Sequence, residues 1–235
     1  MNPPKKKKMN VFLDLDETLI FSIDIRTKNK TKFIPIEIDK FTSHNFDDVY
    51  IVLERPGLQD FLDWLFLNFN VSIWSAASAD YVDFIKKNVI IGKYKNRKIE
   101  LTLHSKHCDK SQKYYGDDHI KKLDMLWDIY QLPNHKPNNT ILLDDLCSNL
   151  RSQPENCIRV KKFLGSPDDN VLKKVKQKLK DVLTHFDKKQ KIDKSPIRKR
   201  VKGQCESLVS RGSRNVKRGA RFPLPGRQEG GHIIL

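Results

Sequence analysis

Short apolar runs alternate along the chain with longer stretches in which apolar residues recur at helical spacing. Runs with the length and composition of strands lie at residues 11–15, 50–53, 71–74, 97–104, 140–143 and 157–160. Helical spacing predicts helices over 58–69, from 75–78 to 85, over 120–130 and over 171–186. Strands that alternate with helices are typical of a parallel sheet, so the sequence predicts an α/β fold. The first such unit is a strand–helix–strand crossover over 50–74.

Two stretches depart from this alternation. Residues 21–48 mix charge with short alternating runs, which predicts a hairpin or flap inserted after the first strand. Pro35 favours an edge position in that flap because proline donates no backbone hydrogen bond. Residues 105–117 are polar and predict a loop.

The net charge of +16 is concentrated at the two ends of the sequence. Residues 1–8 contain four Lys and no acid, and residues 187–235 contain fourteen Lys or Arg against four acids. We therefore predict a basic N-terminal extension at 1–9, one domain at 10–186 and a basic, disordered tail at 187–235. Such tails favour nucleic acid or acidic partners, and the basic clusters at 5–8 and 194–200 resemble nuclear-import patches.

The cysteine pattern and the absence of long apolar runs exclude several classes of protein. The four cysteines form no CxxC pair, which argues against a zinc ribbon or a disulfide framework and favours a reducing compartment. No apolar run is long enough to span a membrane, and the Lys-rich start does not lead into a signal-peptide core. We expect an intracellular monomer, nuclear or cytoplasmic and not secreted.

Two apolar runs end in pairs of acids, and this is where the sequence suggests chemistry. Asp14 and Asp16 lie at the end of the first run, and Asp144 and Asp145 follow the run at 140–143. Two nearby carboxylates repel each other unless a cation or a shared proton relieves them, so these pairs point to a site at the carboxyl edge of a sheet. The alternative is a turn or a helix cap.

Two further residues gain interest from their position. Ser75 follows the run at 71–74, where a hydroxyl and free backbone amides could hold a phosphate, although a plain N-cap is the alternative. Lys121 lies in a predicted helix, where a lysine is normally exposed to solvent.

The run Asp14-Leu15-Asp16-Glu17-Thr18-Leu19 resembles the first motif, DxDx[TV], of the haloacid dehalogenase (HAD) superfamily. Its wording is most similar to the FCP/SCP branch, which contains the phosphatases of the RNA polymerase II C-terminal domain (CTD). The other motifs of this branch resemble, in order, Ser75, Lys121 with Lys122 as the alternative, and Asp144-Asp145, followed by Asn149, 154–156, 158–160 and Phe163. The resemblance covers residues 10–186.

This resemblance implies a HAD-like Rossmannoid fold, with a central parallel sheet flanked by helices, a small β flap and no large cap domain. The interval of 46 residues between Ser75 and Lys121 is too short for such a cap. An open site of this kind favours a macromolecular phosphoester, such as phosphoserine in an extended peptide.

The resemblance also implies a role for each motif residue. Asp14 would be the nucleophile and Asp16 the general acid and base, while Lys121 would neutralise the phosphoryl oxygens and the nucleophile. Ser75, Lys121 and Thr18 would bind phosphate. Mg²⁺ would be held by the Asp14 carboxylate, the Asp16 backbone carbonyl and Asp145, and Asp144 would orient a metal-bound water or Lys121.

The function expected from the resemblance is a Mg²⁺-dependent serine/threonine phosphoprotein phosphatase that forms an aspartyl-phosphate, with the phosphorylated CTD as a candidate substrate. Two alternatives remain: a phosphatase of nucleic-acid ends, and a scaffold that keeps the fold without catalysis. One departure concerns substrate binding. Ser105 stands where the family often has an Arg that grips the substrate phosphate, and Lys106 could replace its charge but not its bidentate geometry.

Overall fold

The computed structural model describes residues 7–27, 36–94 and 96–193, with side chains up to residue 189. Part of the predicted flap, including Pro35, and nearly all of the predicted basic tail lie outside the described residues. The strands and helices below are numbered along the described chain.

Five parallel strands form the central sheet in the order β6-β5-β1-β7-β8. They are β1 (Met9–Leu13), β5 (Phe69–Trp74), β6 (Ile99–Leu103), β7 (Thr140–Asp144) and β8 (Cys157–Arg159). The central strand β1 is buried along its whole length, as expected for a parallel sheet that is covered on both faces. The predicted α/β fold with a central parallel sheet is confirmed.

A second, antiparallel sheet of three strands has the order β2-β4-β3 and comprises β2 (Ile20–Asp24), β3 (Ser43–Phe46) and β4 (Tyr50–Glu54). It confirms the predicted β flap within the described residues. The predicted crossover over 50–74 is wrong in one respect, because β4 pairs with β2 and β3 and not with the central sheet. The apolar residues at 50–53 do not indicate which of the two sheets this strand joins.

Five α-helices surround the sheets: α1 (Leu58–Asn68), α2 (Ala79–Ile85), α3 (Ser105–Tyr115), α4 (Cys147–Ser152) and α5 (Val171–Asp193). Short π-helical segments occupy Lys86–Ile91 and Met125–Ile129, and 3₁₀ turns occupy Ile25–Thr27 and Ile38–Lys40. No helix of the described chain is both long and apolar enough to cross a membrane.

Two of the sequence-based predictions for these helices are wrong. The predicted loop at 105–117 is mostly the helix α3, which buries only Cys108 and Ser111 and therefore lacks the apolar stripe that reveals a helix. In place of the predicted helix over 120–130, the chain forms turns followed by the π-helical segment. Apolar residues at helical spacing therefore pack here without a regular α-helical backbone.

Successive residues of β1 from Val11 to Leu13 pack alternately into two hydrophobic clusters, which explains why this part of the strand is apolar on both faces. Val11 and Leu13 belong to a cluster that includes residues of α1, α2 and α5. Phe12 belongs to a second cluster with Trp74 and Leu142. Because the central strands are parallel, the residues that follow them meet at one edge of the sheet.

Candidate active site

The strand register brings three of the predicted motifs to this edge. Leu13 pairs with Ile73 on one side and with Leu143 on the other, so the residues after these positions lie side by side. The Asp14 amide continues the pattern by donating to the Leu143 carbonyl at 3.0 Å. Here a cavity of about 310 Å³ is lined by Asp14, Asp16, Glu17, Ser75, Ala76, Ala77, Lys121, Asp145, Leu146 and Lys162.

The chain between β1 and β2 forms a tight loop, which we call the site loop (residues 14–19). The Leu15 carbonyl accepts the amides of Thr18, Leu19 and Ile20 at 3.2, 2.8 and 3.1 Å. Glu17 has φ 58°, in the left-handed region that non-glycine residues rarely adopt. Since β1 ends at Leu13, Asp14 and Asp16 belong to the site loop and not to the strand, and both residues line the cavity.

Lys121 lies between two carboxylates at the base of the cavity. Its Nζ donates to Asp14 Oδ1 at 2.5 Å and to Asp144 Oδ2 at 2.8 Å, and the residue is only 2% exposed. Burial alone would lower the pKa of Lys121, but the two carboxylates outweigh burial and raise the pKa above its ordinary value. Lys121 is thus a fixed cation at physiological pH.

The backbone around Lys121 is held by Gln153, a residue that sequence analysis did not identify. Gln153 Nε2 donates to the Lys121 carbonyl at 2.7 Å, and its Oε1 accepts the Leu123 amide at 2.9 Å. Lys122, the alternative motif lysine, instead donates through Nζ to the Ser152 carbonyl at 2.7 Å. The structure therefore brings Lys121, and not Lys122, to Asp14.

Asp14, Asp144 and Asp145 form a buried carboxylate cluster whose oxygens lie within 4.8 Å of one another. The pKa of Asp14 is raised to about 7. Burial is the largest cause of this rise, the Lys121 ammonium opposes it, and the Asp144 carboxylate adds to it. Both oxygens of Asp144 are engaged, by Lys121 and by the Leu146 amide at 2.8 Å. Three carboxylates with one buried ammonium leave a negative surplus, and their oxygens are of the type that Mg²⁺ prefers.

The Asp16 carboxylate does not belong to this cluster and has partners of its own. Tyr81 Oη donates to Asp16 Oδ1 at 2.8 Å and Ser22 Oγ donates to it at 3.3 Å, while the two hydroxyls lie 2.5 Å apart. Burial raises the pKa of Asp16, and these two hydrogen bonds act against it. No sequence signal marks Ser22, which lies on β2 within the predicted flap.

Ser75 and Thr18, two of the predicted phosphate-binding residues, differ in their access to the cavity. Ser75 lines it, and its Oγ accepts the Ala77 amide at 3.1 Å. The N-cap of α2 is Ser78, so Ser75 is not simply that cap. The hydroxyl of the fully buried Thr18 donates to Asp14 Oδ2 at 2.8 Å and contacts Asp145 Oδ1 at 3.4 Å, which orients the carboxylate cluster.

The second cation that lines the cavity is Lys162, which sequence analysis did not identify. Its Nζ contacts the Glu17 carboxylate and lies 3.4 Å from Asp145 Oδ2. Neither Ser105 nor Lys106 lines the cavity; they begin α3. Lys162 directly precedes Phe163, one of the residues that carry the family resemblance, but it belongs to no motif and resembles any exposed lysine, so only the folded chain reveals its position.

Comparison with known proteins assigns the family. A family model for NLI interacting factor-like phosphatases matches residues 9–191. The chain belongs to this family. Its relatives include the CTD phosphatase-like proteins 355R of Invertebrate iridescent virus 6, 41% identical over 175 residues, and of Invertebrate iridescent virus 3, 40% identical over 183 residues. Each match covers 74% of this chain and 96% of the relative.

More distant likenesses extend the comparison. The ubiquitin-like domain-containing CTD phosphatase 1 of Danio rerio is 28% identical over 192 residues, but the match covers 52% of that protein. Among solved structures, one similar structure is that of fission yeast RNA polymerase II CTD phosphatase Fcp1 bound to beryllium fluoride. The alignment covers 92% of this chain and 59% of the Fcp1 chain. The TM-score is 0.46 and the identity 17%.

Family membership confirms the predicted FCP/SCP type and identifies the chain as a phosphatase. The family match ends at residue 191, close to the end of α5 at Asp193 and beyond the predicted domain boundary at 186. The individual roles of Asp14, Asp16, Ser75 and Lys121 remain predictions.

Proposed function

We propose that this phosphatase hydrolyses phosphoserine or phosphothreonine in proteins, with Mg²⁺ as cofactor and Asp14 as nucleophile. The observation that carries the proposal is the pairing of Asp14 with Lys121 at 2.5 Å in a cavity that Asp14 and Asp145 of the carboxylate cluster line. An ammonium in this position restrains the nucleophile and can neutralise the oxygens of an incoming phosphoryl group.

In the first half of the reaction, an Asp14 oxygen forms a bond to phosphorus while the bond to the ester oxygen breaks. The departing serine or threonine oxygen takes the proton of Asp16, whose burial favours the protonated acid. Thr18 orients Asp14 through the hydrogen bond to Oδ2, and Ser75 lies on the cavity wall, where its hydroxyl could bind the phosphate.

In the second half, water attacks the phosphorus of the aspartyl-phosphate and its proton passes to the Asp16 carboxylate. The Asp14–phosphorus bond breaks, inorganic phosphate leaves, and Asp14 and the protonated Asp16 are restored. Tyr81 and Ser22 hold the Asp16 carboxylate in both halves, because their hydroxyls donate to its Oδ1.

The residues around the cavity fit a hard divalent cation. Asp14 and Asp145 would hold Mg²⁺ together with the Asp16 backbone carbonyl, and Asp144 would stay with Lys121 and the Leu146 amide. When bound, the cation would neutralise the carboxylate cluster and draw a phosphate oxygen towards Asp14.

The form of the site and the names of its relatives support a macromolecular substrate. Between Ser75 and Lys121, the described residues form α2, a π-helical segment, β6 and α3 and no cap domain. The viral relatives are described as CTD phosphatase-like, which makes the phosphorylated CTD a candidate substrate. A nucleic-acid end phosphatase is the second candidate, favoured by the positive charge of residues 187–235. A monomer in the nucleus or cytoplasm fits either candidate.

The test is phosphate release by the purified protein from phosphoserine peptides of the CTD repeat and from phosphate-ended DNA, with Mg²⁺ or with EDTA. We expect Mg²⁺-dependent release from the peptide and a loss of at least about 10³-fold for Asp14→Asn, the size of effect that removal of a nucleophile has elsewhere. Mass spectrometry of acid-quenched protein should find hydroxylamine-sensitive phosphate on the peptide that contains Asp14.

The matched control is Asp109→Asn, which makes the same change at an exposed carboxyl on α3. It should keep full activity. Release from DNA but not from peptide would favour the second candidate, and inactivity of the wild-type protein on both substrates would contradict an enzymatic role.

A further inference from the structure

The two ammonium groups of the cavity are held in different ways. Lys121 is 2% exposed and lies between Asp14 and Asp144. The Lys162 side chain is 48% exposed, and its main partner, Glu17, is itself 37% exposed. An ion pair between exposed side chains contributes little to stability, so Lys162 can leave Glu17 at little cost.

The backbone on both sides of Lys162 is fixed, although its side chain is accessible. The Phe163 amide donates to the Glu17 carbonyl at 2.6 Å, and Arg55 Nη2 donates to the Lys161 carbonyl at 2.8 Å. Phe163 is fully buried. These contacts place the Cα of Lys162 beside the site loop while its side chain remains able to reorient.

The charges that line the cavity create a need for such a cation. Asp14, Asp16, Glu17 and Asp145 all line it, and a phosphomonoester carries close to two negative charges at neutral pH. An incoming phosphate must therefore pass acidic groups before it reaches Asp14. Two lysines among the described residues line the cavity. Lys121 lies between buried carboxylates beside Asp14, which leaves Lys162 to meet the phosphate at the entrance.

We propose that Lys162 is a phosphate-binding residue, whose ammonium leaves Glu17 and donates to a non-bridging oxygen of the substrate phosphate. The inference rests on the proposed function, because it assigns Lys162 to the same site. A hydrogen bond between an ammonium and a phosphate oxygen is charge-assisted and stronger than a neutral one. Lys162 then sets the affinity for the phosphate dianion, and Glu17 holds its side chain near the entrance when no substrate is bound.

The test is Lys162→Ala, measured by steady-state kinetics with a phosphoserine peptide and by competition with inorganic phosphate. We expect KM and the inhibition constant of phosphate each to rise about tenfold, with a smaller change in kcat. Lys162→Arg should keep most of the affinity. Glu17→Gln should bind phosphate at least as tightly as wild type, because it frees Lys162 without removing it.

Lys161→Ala is the matched control, because it removes the same charge from the neighbouring residue, which does not line the cavity and keeps the carbonyl that Arg55 binds. It should leave both constants unchanged. Thermal unfolding of each variant reports whether the fold is kept. Unchanged phosphate inhibition in a folded Lys162→Ala variant, or a change in Mg²⁺ dependence alone, would overturn the inference.

Calorimetric titration with inorganic phosphate in the presence of Mg²⁺ separates this inference from the proposed function, because it needs no turnover. Phosphate binding that weakens in Lys162→Ala supports the inference even if the wild-type protein hydrolyses none of the substrates, a result that contradicts the proposed function alone. Equal binding by wild type and Lys162→Ala, together with normal hydrolysis, contradicts the inference alone.

Discussion

Asp14 and Asp16 are two residues apart in sequence, yet they lie in separate hydrogen-bond networks. Asp14 contacts Lys121 and Thr18, while Asp16 accepts from Tyr81 and Ser22. The turn at Glu17, with its positive φ, helps to separate them. Such a separation suits a nucleophile and a proton donor, because one group must stay ionised while the other exchanges a proton.

A first prediction concerns the hydroxyl of Tyr81, which donates to the Asp16 carboxylate. In Tyr81→Phe the Asp16 carboxyl loses its shorter hydrogen bond, so its proton is no longer directed at the leaving oxygen. We expect kcat on a phosphoserine peptide to fall about tenfold, a part of the roughly 10²–10⁴-fold that a positioned general acid supplies. The loss should be much smaller with an aryl phosphate, because its leaving group departs without protonation.

Tyr50→Phe is the control for this variant, because the Tyr50 ring lies 5.9 Å from the Tyr81 ring and the substitution removes a hydroxyl from the same aromatic group. It should leave both rates unchanged. Equal losses on the peptide and on the aryl phosphate in Tyr81→Phe would show that the tyrosine supports the shape of the site and not proton transfer.

A site residue can be recognised from the sequence when its neighbours along the chain already indicate its chemistry. Asp14 and Asp144 stand out because acids at the ends of apolar strands need a partner. Gln153 and Ser22 do not stand out, because their roles depend on contacts with parts of the chain whose positions only the fold determines, such as the Lys121 carbonyl 32 residues away. Lys121 lies between these cases, since only the family motif distinguishes it from other lysines.

At the scale of secondary-structure elements, Arg55 joins three parts of the domain. It follows β4, is 1% exposed, and donates to the carbonyls of Thr18 at 2.7 Å and Lys161 at 2.8 Å. Its Nε and Nη2 both donate at 2.8 Å to Asp169, just before α5. Burial would raise the pKa of Asp169, but Arg55 and the Val171 amide hold it below its usual value.

The substitution Arg55→Met keeps the length of the side chain and removes all of these donors. Two carbonyls then lose the donor that Arg55 provides, and the Asp169 carboxylate loses its guanidinium partner while the Val171 amide still donates to it. We expect the free energy of unfolding to fall by about 3 kcal/mol, as when one member of a buried ion pair is removed elsewhere. Denaturant unfolding of the purified variant measures this change.

Arg26→Met is the matched control, because Arg26 pairs with Asp24 at the surface and its side chain is 59% exposed. We expect no measurable change in its unfolding midpoint. If Arg55→Met unfolded at the same denaturant concentration as Arg26→Met, the three parts of the domain would not depend on Arg55 for their cohesion.

The elements that the sequence reveals are those whose burial follows a regular period. β1, β5 and β7 are mostly apolar and α1 presents one apolar face, so their positions could be predicted. The helix α3 could not, because it is mostly polar and the backbone amide of His104 is held by His107 Nδ1 at 3.0 Å, a contact that is not visible in the hydrophobic pattern.

At the scale of the whole molecule, charge and catalytic chemistry lie in different parts of the sequence. Residues 194–235 contain eleven Lys or Arg and two acids, whereas the residues that line the cavity all lie between Asp14 and Lys162. This division predicts that the C-terminal segment changes which macromolecules are bound but does not contribute to bond cleavage. The boundary for a test is the end of α5 at Asp193.

Deletion of residues 194–235 should leave kcat and KM on a small aryl phosphate unchanged, because every described residue that lines the cavity remains. Binding to a phosphate-ended oligonucleotide should weaken, and its dependence on salt should become shallower, because fewer counterions are released when fewer cations contact the polyanion. Fluorescence anisotropy at several salt concentrations measures both effects. A full-length variant with these Lys and Arg residues replaced by Gln should behave like the deletion, since charge and not length is the cause. Loss of aryl phosphatase activity in either protein would mean that the segment takes part in the catalytic site.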